Sequence, residues 1–332
     1  MEKIDLQSVF AENNAILTML AAYLNRTPRA IDRAMVKEIA ASCSVSTDEA
    51  FLALFSAAIG LEDTPKHRRL ERLSLRPGLH CLDPKQYSSD PYIKAVGKLS
   101  GRLGNWTLQE SFYAPYEPFV CNHPKTEKDF REIAQIGYFE ERFDFPAVLE
   151  GGIEWMTVTP NEIETMKEPI AHARGKVLTL GLGLGYYAFH ASEKSDVESV
   201  TIIERDEKVI SLFERFILPR FPHKEKIKIL QKDAFEFMEQ DLKEGDFDSI
   251  FCDLWHDESD GLSAYIRLKK TEETAPGARF DYWIEPTLLA SLRRMVWENF
   301  VSGSLSVKEE EILAFLSDDS LRSLAKKLKK VE

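Results

Sequence analysis

Three glycines at alternate positions, Gly181, Gly183 and Gly185, stand between an apolar run, Val177 to Leu180, and a helix-compatible segment containing Tyr187, Ala188 and Phe189. Glycine lets a backbone approach a ligand closely, and the N-terminus of the following helix offers free N–H groups. A second apolar run, Ser199 to Ile203, ends in Glu204, about 20 residues beyond the glycines, where a carboxylate reaches both hydroxyls of a ribose. The runs Ile227 to Leu230, Phe247 to Cys252 and Arg279 to Ile284 are likewise followed by acids, Asp233, Asp253 and Glu285. Ligands of open parallel sheets bind beyond the carboxyl ends of the strands, so these groups are expected along one edge. Asp253 is the first choice for a general base and His256 the second. The plain structural alternatives are a turn-capping carboxylate and a surface histidine. Trp255 either walls a pocket or packs on the sheet.

The elements that would position them read as α/β, a Rossmann-like and mainly parallel sheet between helices. Four segments are expected: a helical N-terminal domain (1–75), an irregular or β-containing region with a hairpin (76–160), the Rossmann-like nucleotide domain (161–300) and a C-terminal helical extension (301–332). Val9, Phe10, Ile16, Leu17, Leu20 and Leu24 recur at helical spacing, and Ser46 with Glu49 forms a capping-box signature. Val36 to Leu54 has the outline of a helix-turn-helix with few basic residues. Thr126 to Ile136 reads as a short helix, and the alternation around Gly151 and Gly152 as a β-hairpin. A helix follows from Glu162 to Ala173. Beyond Glu285 the pattern is helical, Thr287 to Phe300, Val307 to Phe315 and a last basic segment, with no further strands.

A net charge of −12 repels phosphate backbones over the surface as a whole, so no nucleic-acid partner is expected. With 44% apolar residues the chain can bury a core without disulfides or metal. Its four cysteines form no CxxC pair, which suits a reducing compartment, and no metal site is expected. No apolar window reaches the roughly 18 residues of a membrane span, and MEKIDLQSVF lacks the layout of a signal peptide. The expectation is a cytoplasmic protein without a membrane partner.

GLGLGY after a strand, with acids after the second and third strands, is similar to the layout of class I S-adenosylmethionine-dependent methyltransferases, which implies the methyltransferase fold. Within it the chain looks most like the spermidine synthases. VESVTIIERDEKVI, KDAFEFM and CDLWHD resemble three of that group's segments, the last standing where its catalytic loop lies, and LEGGIEWMTVTPNE followed by EPIAH resembles its hairpin and helix. The resemblance covers about residues 145–285. It implies Gly181, Gly183 and Gly185 under the methionine part of S-adenosylmethionine, Glu204 on the ribose, Asp233 and Ala234 at the adenine, and Asp253 facing the sulfonium and the acceptor.

Departures from that group shape the functional expectation. Leu184 replaces an Asp in the glycine turn, Met166 and Lys167 replace Tyr-Gln, and His256 replaces the last Asp of the catalytic loop, with Asp257 one place late. An unpaired buried ammonium costs several kcal/mol, so Leu184 should disfavour an amine-bearing ligand, while Lys167 could pair with the carboxylate of intact S-adenosylmethionine. The expected function is therefore an S-adenosylmethionine-dependent methyltransferase acting on a small-molecule acceptor. The alternatives are a spermidine synthase-like aminopropyltransferase and a non-catalytic S-adenosylmethionine-binding protein. A nicotinamide oxidoreductase shares the glycines and the ribose acid, but Tyr186 stands where its third glycine belongs. A homodimer through the helical regions is a further option.

Overall fold

The computed structural model describes residues 5–98, 100–303 and 318–328. The apolar runs that end in acids form one five-stranded parallel sheet: β1 (Gly175–Leu180), β2 (Val197–Glu204), β3 (Ile227–Gln231), β4 (Ser249–Cys252) and β5 (Arg279–Tyr282). The spatial order is β3-β2-β1-β4-β5. The last four residues of β1 and all of β4 are buried. A central strand covered on both faces has no polar side to show, which is why these stretches read as continuous apolar runs.

Helices precede and link the strands: α1 (Pro160–His172), α2 (Tyr186–Glu193), α3 (Glu207–Phe216) and α4 (Glu258–Lys269). Chain order reverses direction across the sheet between β1 and β4, which opens a crevice at their carboxyl ends. This is the Rossmann-like, methyltransferase-type fold.

A four-stranded antiparallel sheet belongs to the same compact unit, which comprises Asp83–Tyr113 and Phe143–Glu285. Its strands are Gly101–Leu103, Trp106–Tyr113, Phe143–Glu150 and Ile153–Thr157, paired in that order. Gly151 and Gly152, both at positive φ, turn the last hairpin.

The second compact unit gathers Met1–Leu82, Ala114–Arg142 and Pro286–Glu332. Helices Leu6–Arg26, Arg33–Cys43 and Thr47–Ala58 are each started by a side-chain cap, from Asp5, Asp32 and Ser46, as acceptors for otherwise orphaned N–H groups. Their apolar faces meet in a core that includes Ile16, Val36, Phe51 and Phe55. A three-stranded sheet of Leu79–Cys81, Glu132–Tyr138 and Phe119–Thr126 packs into the same core through Ile136 and Tyr138.

The helix expected over Thr126 to Ile136 is thus overturned. Phe130, at φ +70°, turns the chain, and Glu132–Tyr138 pairs as a central strand with neighbours on both sides. Asn13 fixes that turn by donating to the Phe130 carbonyl at 2.9 Å and accepting from the Glu132 N–H at 3.0 Å. The helix Glu285–Val301 is observed, and the expected helix Val307 to Phe315 lies outside the described residues. No described helix is long and apolar enough to cross a membrane.

Candidate active site

β1 ends at Leu180, and the chain turns through Gly181 at φ +92°. The Gly181 N–H donates to the Ile203 carbonyl of β2 at 2.9 Å. A Cβ on residue 181 would lie 2.0 Å from the Asp253 carbonyl oxygen, so the ends of β1 and β4 can approach this closely only where residue 181 has no side chain. Gly185, at φ +74°, closes the turn and starts α2. From behind, the Tyr92 hydroxyl donates to the Leu184 carbonyl at 2.6 Å, and Asp90 accepts from the Tyr186 hydroxyl at 3.0 Å.

Beyond the carboxyl ends of the strands lies a cavity of about 330 Å³, in the size range of small-molecule sites. Gly181, Gly183, Glu204, Asp233, Ala234, Asp253 and His256 all line it. The Glu204 carboxylate is fixed by the Leu182 N–H at 3.3 Å and the Asp206 N–H at 2.8 Å. Asp233 caps the turn that follows β3, accepting from the Glu236 N–H at 3.0 Å.

The Asp253 N–H donates to the Leu180 carbonyl at 3.0 Å, while its carboxyl group makes no hydrogen bond or ion pair among the described residues. Desolvation in the cavity wall, reinforced by the nearby charge of Glu162, pushes its pKa up to about 8. Glu162, on the first turn of α1, also lines the cavity. Desolvation raises its pKa against a hydrogen bond from the Thr159 hydroxyl and others from backbone N–H groups, and Glu154 adds repulsion. Glu154, on the hairpin, is itself raised by desolvation. His256 is exposed at the rim, with Nδ1 3.2 Å from Asp260 and its ring edge-on to Trp155 at 4.8 Å. Trp255 is buried, and its Nε1 has no partner among the described residues.

Lys167 lies outside this lining. Its ammonium is 2.6 Å from Glu164 on the same helix, and it is exposed. Gly185 and Leu184 line a smaller adjoining cavity of about 30 Å³ that shares Gly181, Glu162, Met166 and Asp253. Glu285 turns away, accepting from the Tyr265 hydroxyl at 2.6 Å.

Glu154, Glu162 and Trp283 also line the cavity and are not among the residues expected there from the sequence. Thr159 and Glu162 form a capping box at the start of α1, a pattern that explains Glu162 structurally and so hides its second position, facing the cavity.

A spermine/spermidine synthase domain matches residues 164–265, about a third of the chain. No curated protein matches. Among solved structures, the chain resembles the spermidine synthase of Thermotoga maritima at 18% identity and a TM-score of 0.32, over 47% of this chain and 59% of that one. It also resembles a precorrin 8w decarboxylase from Methanobacterium thermoautotrophicum at 17% identity and a TM-score of 0.31, over 43% and 74%. The matched stretch thus spans less than two thirds of the Thermotoga chain.

The domain match corrects two expectations. It points to aminopropyl transfer and away from a methyltransferase, and spermidine synthases take decarboxylated S-adenosylmethionine rather than S-adenosylmethionine itself. Leu184 does remove one counter-charge, but Asp253, Glu162 and Glu154 supply others in the same cavity, and Lys167 is held by Glu164.

Proposed function

We propose that the unit carrying the parallel sheet is an aminopropyltransferase of the spermidine synthase type, moving a 3-aminopropyl group from decarboxylated S-adenosylmethionine to a primary amine. The observation that carries this reading is the charge of the cavity. Glu154, Glu162, Glu204, Asp233 and Asp253 line it against Arg205 and Lys232, and Lys232 is paired with Asp241. Desolvated carboxylates with no cation beside them, Asp253 above all, favour a ligand that brings positive charge, and this donor brings a sulfonium and an ammonium.

In this reading Glu204 takes the ribose, Asp233 and Ala234 the adenine edge, and the turn of Gly181, Gly183 and Gly185 the thioether side. The acceptor nitrogen attacks the carbon beside sulfur, the carbon–sulfur bond breaks as the carbon–nitrogen bond forms, and methylthioadenosine leaves. The new nitrogen sheds one proton, for which Asp253 is the acceptor and His256 the group nearest the rim. Alignment accounts for about 7–11 kcal/mol of such a barrier and a base for about 10²–10⁴ in rate. Mass spectrometry of the decarboxylated donor mixed with primary amines tests this. Equimolar methylthioadenosine and aminopropylated amine are expected, and donor that stays intact with every amine would refute it.

A further inference from the structure

The two halves of the cavity differ in chemistry. Over the ends of β1 to β3 it presents the glycine turn, Glu204, Asp233 and Ala234, groups suited to a nucleoside. The other half comes from the hairpin, α1 and the loops after β4 and β5. It presents three indoles, Trp155, Trp255 and Trp283, and two thioethers, Met156 and Met166. No lysine or arginine lines that half, and its three carboxylates form a single focus, since Glu162 acts on Asp253 and Glu154 acts on Glu162.

Three carboxylates are matched by three positive centres: the donor's sulfonium, its ammonium, and the acceptor nitrogen as it becomes charged. A second ammonium at the far end of the acceptor would then rest against indole and thioether without a carboxylate of its own, and cation–π contact would offset only part of its desolvation. An aromatic or bulky apolar body meets the opposite situation, because indole and thioether groups stack with rings and cover apolar surface.

We infer that the acceptor is a monoamine with an aromatic or bulky apolar body, its nitrogen at Glu162 and Asp253 and its body along Trp155, Trp255 and Trp283. The inference rests on the aminopropyl-transfer reading for the identity of the donor, but the class of amine that binds can be measured without turnover.

The test is calorimetry on the full chain saturated with an unreactive donor analogue, 5′-[(3-aminopropyl)methylamino]-5′-deoxyadenosine, which keeps the donor's ammonium and carries a protonated tertiary amine in place of its sulfonium, titrated with 2-phenylethylamine and with butane-1,4-diamine. The monoamine is expected to bind about tenfold more tightly. Trp155→Ala should weaken the monoamine by about tenfold and the diamine by no more than about twofold, as loss of an aromatic contact would. Trp155→Phe, which keeps an aromatic ring, should restore most of the preference. A diamine that binds as tightly or more tightly, or a Trp155→Ala variant that weakens both alike, would overturn the inference. If the affinity order holds while no amine releases methylthioadenosine from the donor, the transfer reading falls and the assignment of the amine class stands.

Discussion

Replacing Asp253 by Asn keeps the shape of the side chain and removes its charge. In the unfolded chain this carboxyl ionises near its ordinary 3.8, and in the folded protein burial beside Glu162 pushes it up to about 8. Between those two values the folded state holds a proton that the unfolded state has lost, so wild-type stability falls as pH rises and the loss is complete above the upper value. Each pKa unit is worth about 1.4 kcal/mol, which makes about 6 kcal/mol an upper limit for the whole shift. Water in the cavity and relaxation around the charge reduce this to about 2–4 kcal/mol. The Asn variant carries no such penalty. Urea denaturation should find the two proteins within about 1–2 kcal/mol at about pH 5, with the variant ahead by about 2–4 kcal/mol at about pH 8.5. Aminopropyl transfer should fall by about 10²–10⁴ in the same variant. A stability gap that fails to widen with pH, or a variant less stable at the upper pH, would refute the reasoning.

Gly181→Ala forces a side chain into a positive-φ position against the Asp253 carbonyl, and should cost about 3 kcal/mol or more in chemical denaturation. Glu204→Gln removes a charge-assisted acceptor, so Kd for methylthioadenosine should rise about 10- to 100-fold while the melt moves little. Lys167→Ala should leave donor affinity unchanged within about twofold, because the exposed pair with Glu164 contributes at most about 1 kcal/mol to stability and stands outside the cavity. A large loss of donor affinity there would return Lys167 to the site.

The parallel sheet was legible because its buried strands carry their apolar residues in unbroken runs, and each run stops at a glycine turn or an acid that ends up at the carboxyl edge. Gly181, Glu204, Asp233 and Asp253 are therefore readable from the sequence alone. Glu132–Tyr138 was misread because Ile133, Ala134 and Ile136 fit a helical spacing as well as a strand. The partner strands that decide it, Leu79–Cys81 and Phe119–Thr126, lie elsewhere in the chain. The charge balance of the cavity was misjudged for a similar reason. Leu184 is adjacent in sequence to the glycines and so weighed heavily, whereas Glu154 and Glu162 reach the cavity from a hairpin and a helix start that precede β1. Spatial convergence of groups from separate elements leaves no local pattern.

Calorimetry with two donors tests the central claim most directly. The carboxylate of intact S-adenosylmethionine would enter a cavity lined by Asp253, Glu162 and Glu154, whereas the decarboxylated form presents only positive charge to them. The decarboxylated donor is expected to bind at least about tenfold more tightly, a difference of about 1.4 kcal/mol. Equal affinity, or tighter binding of the carboxylate-bearing form, would contradict the account.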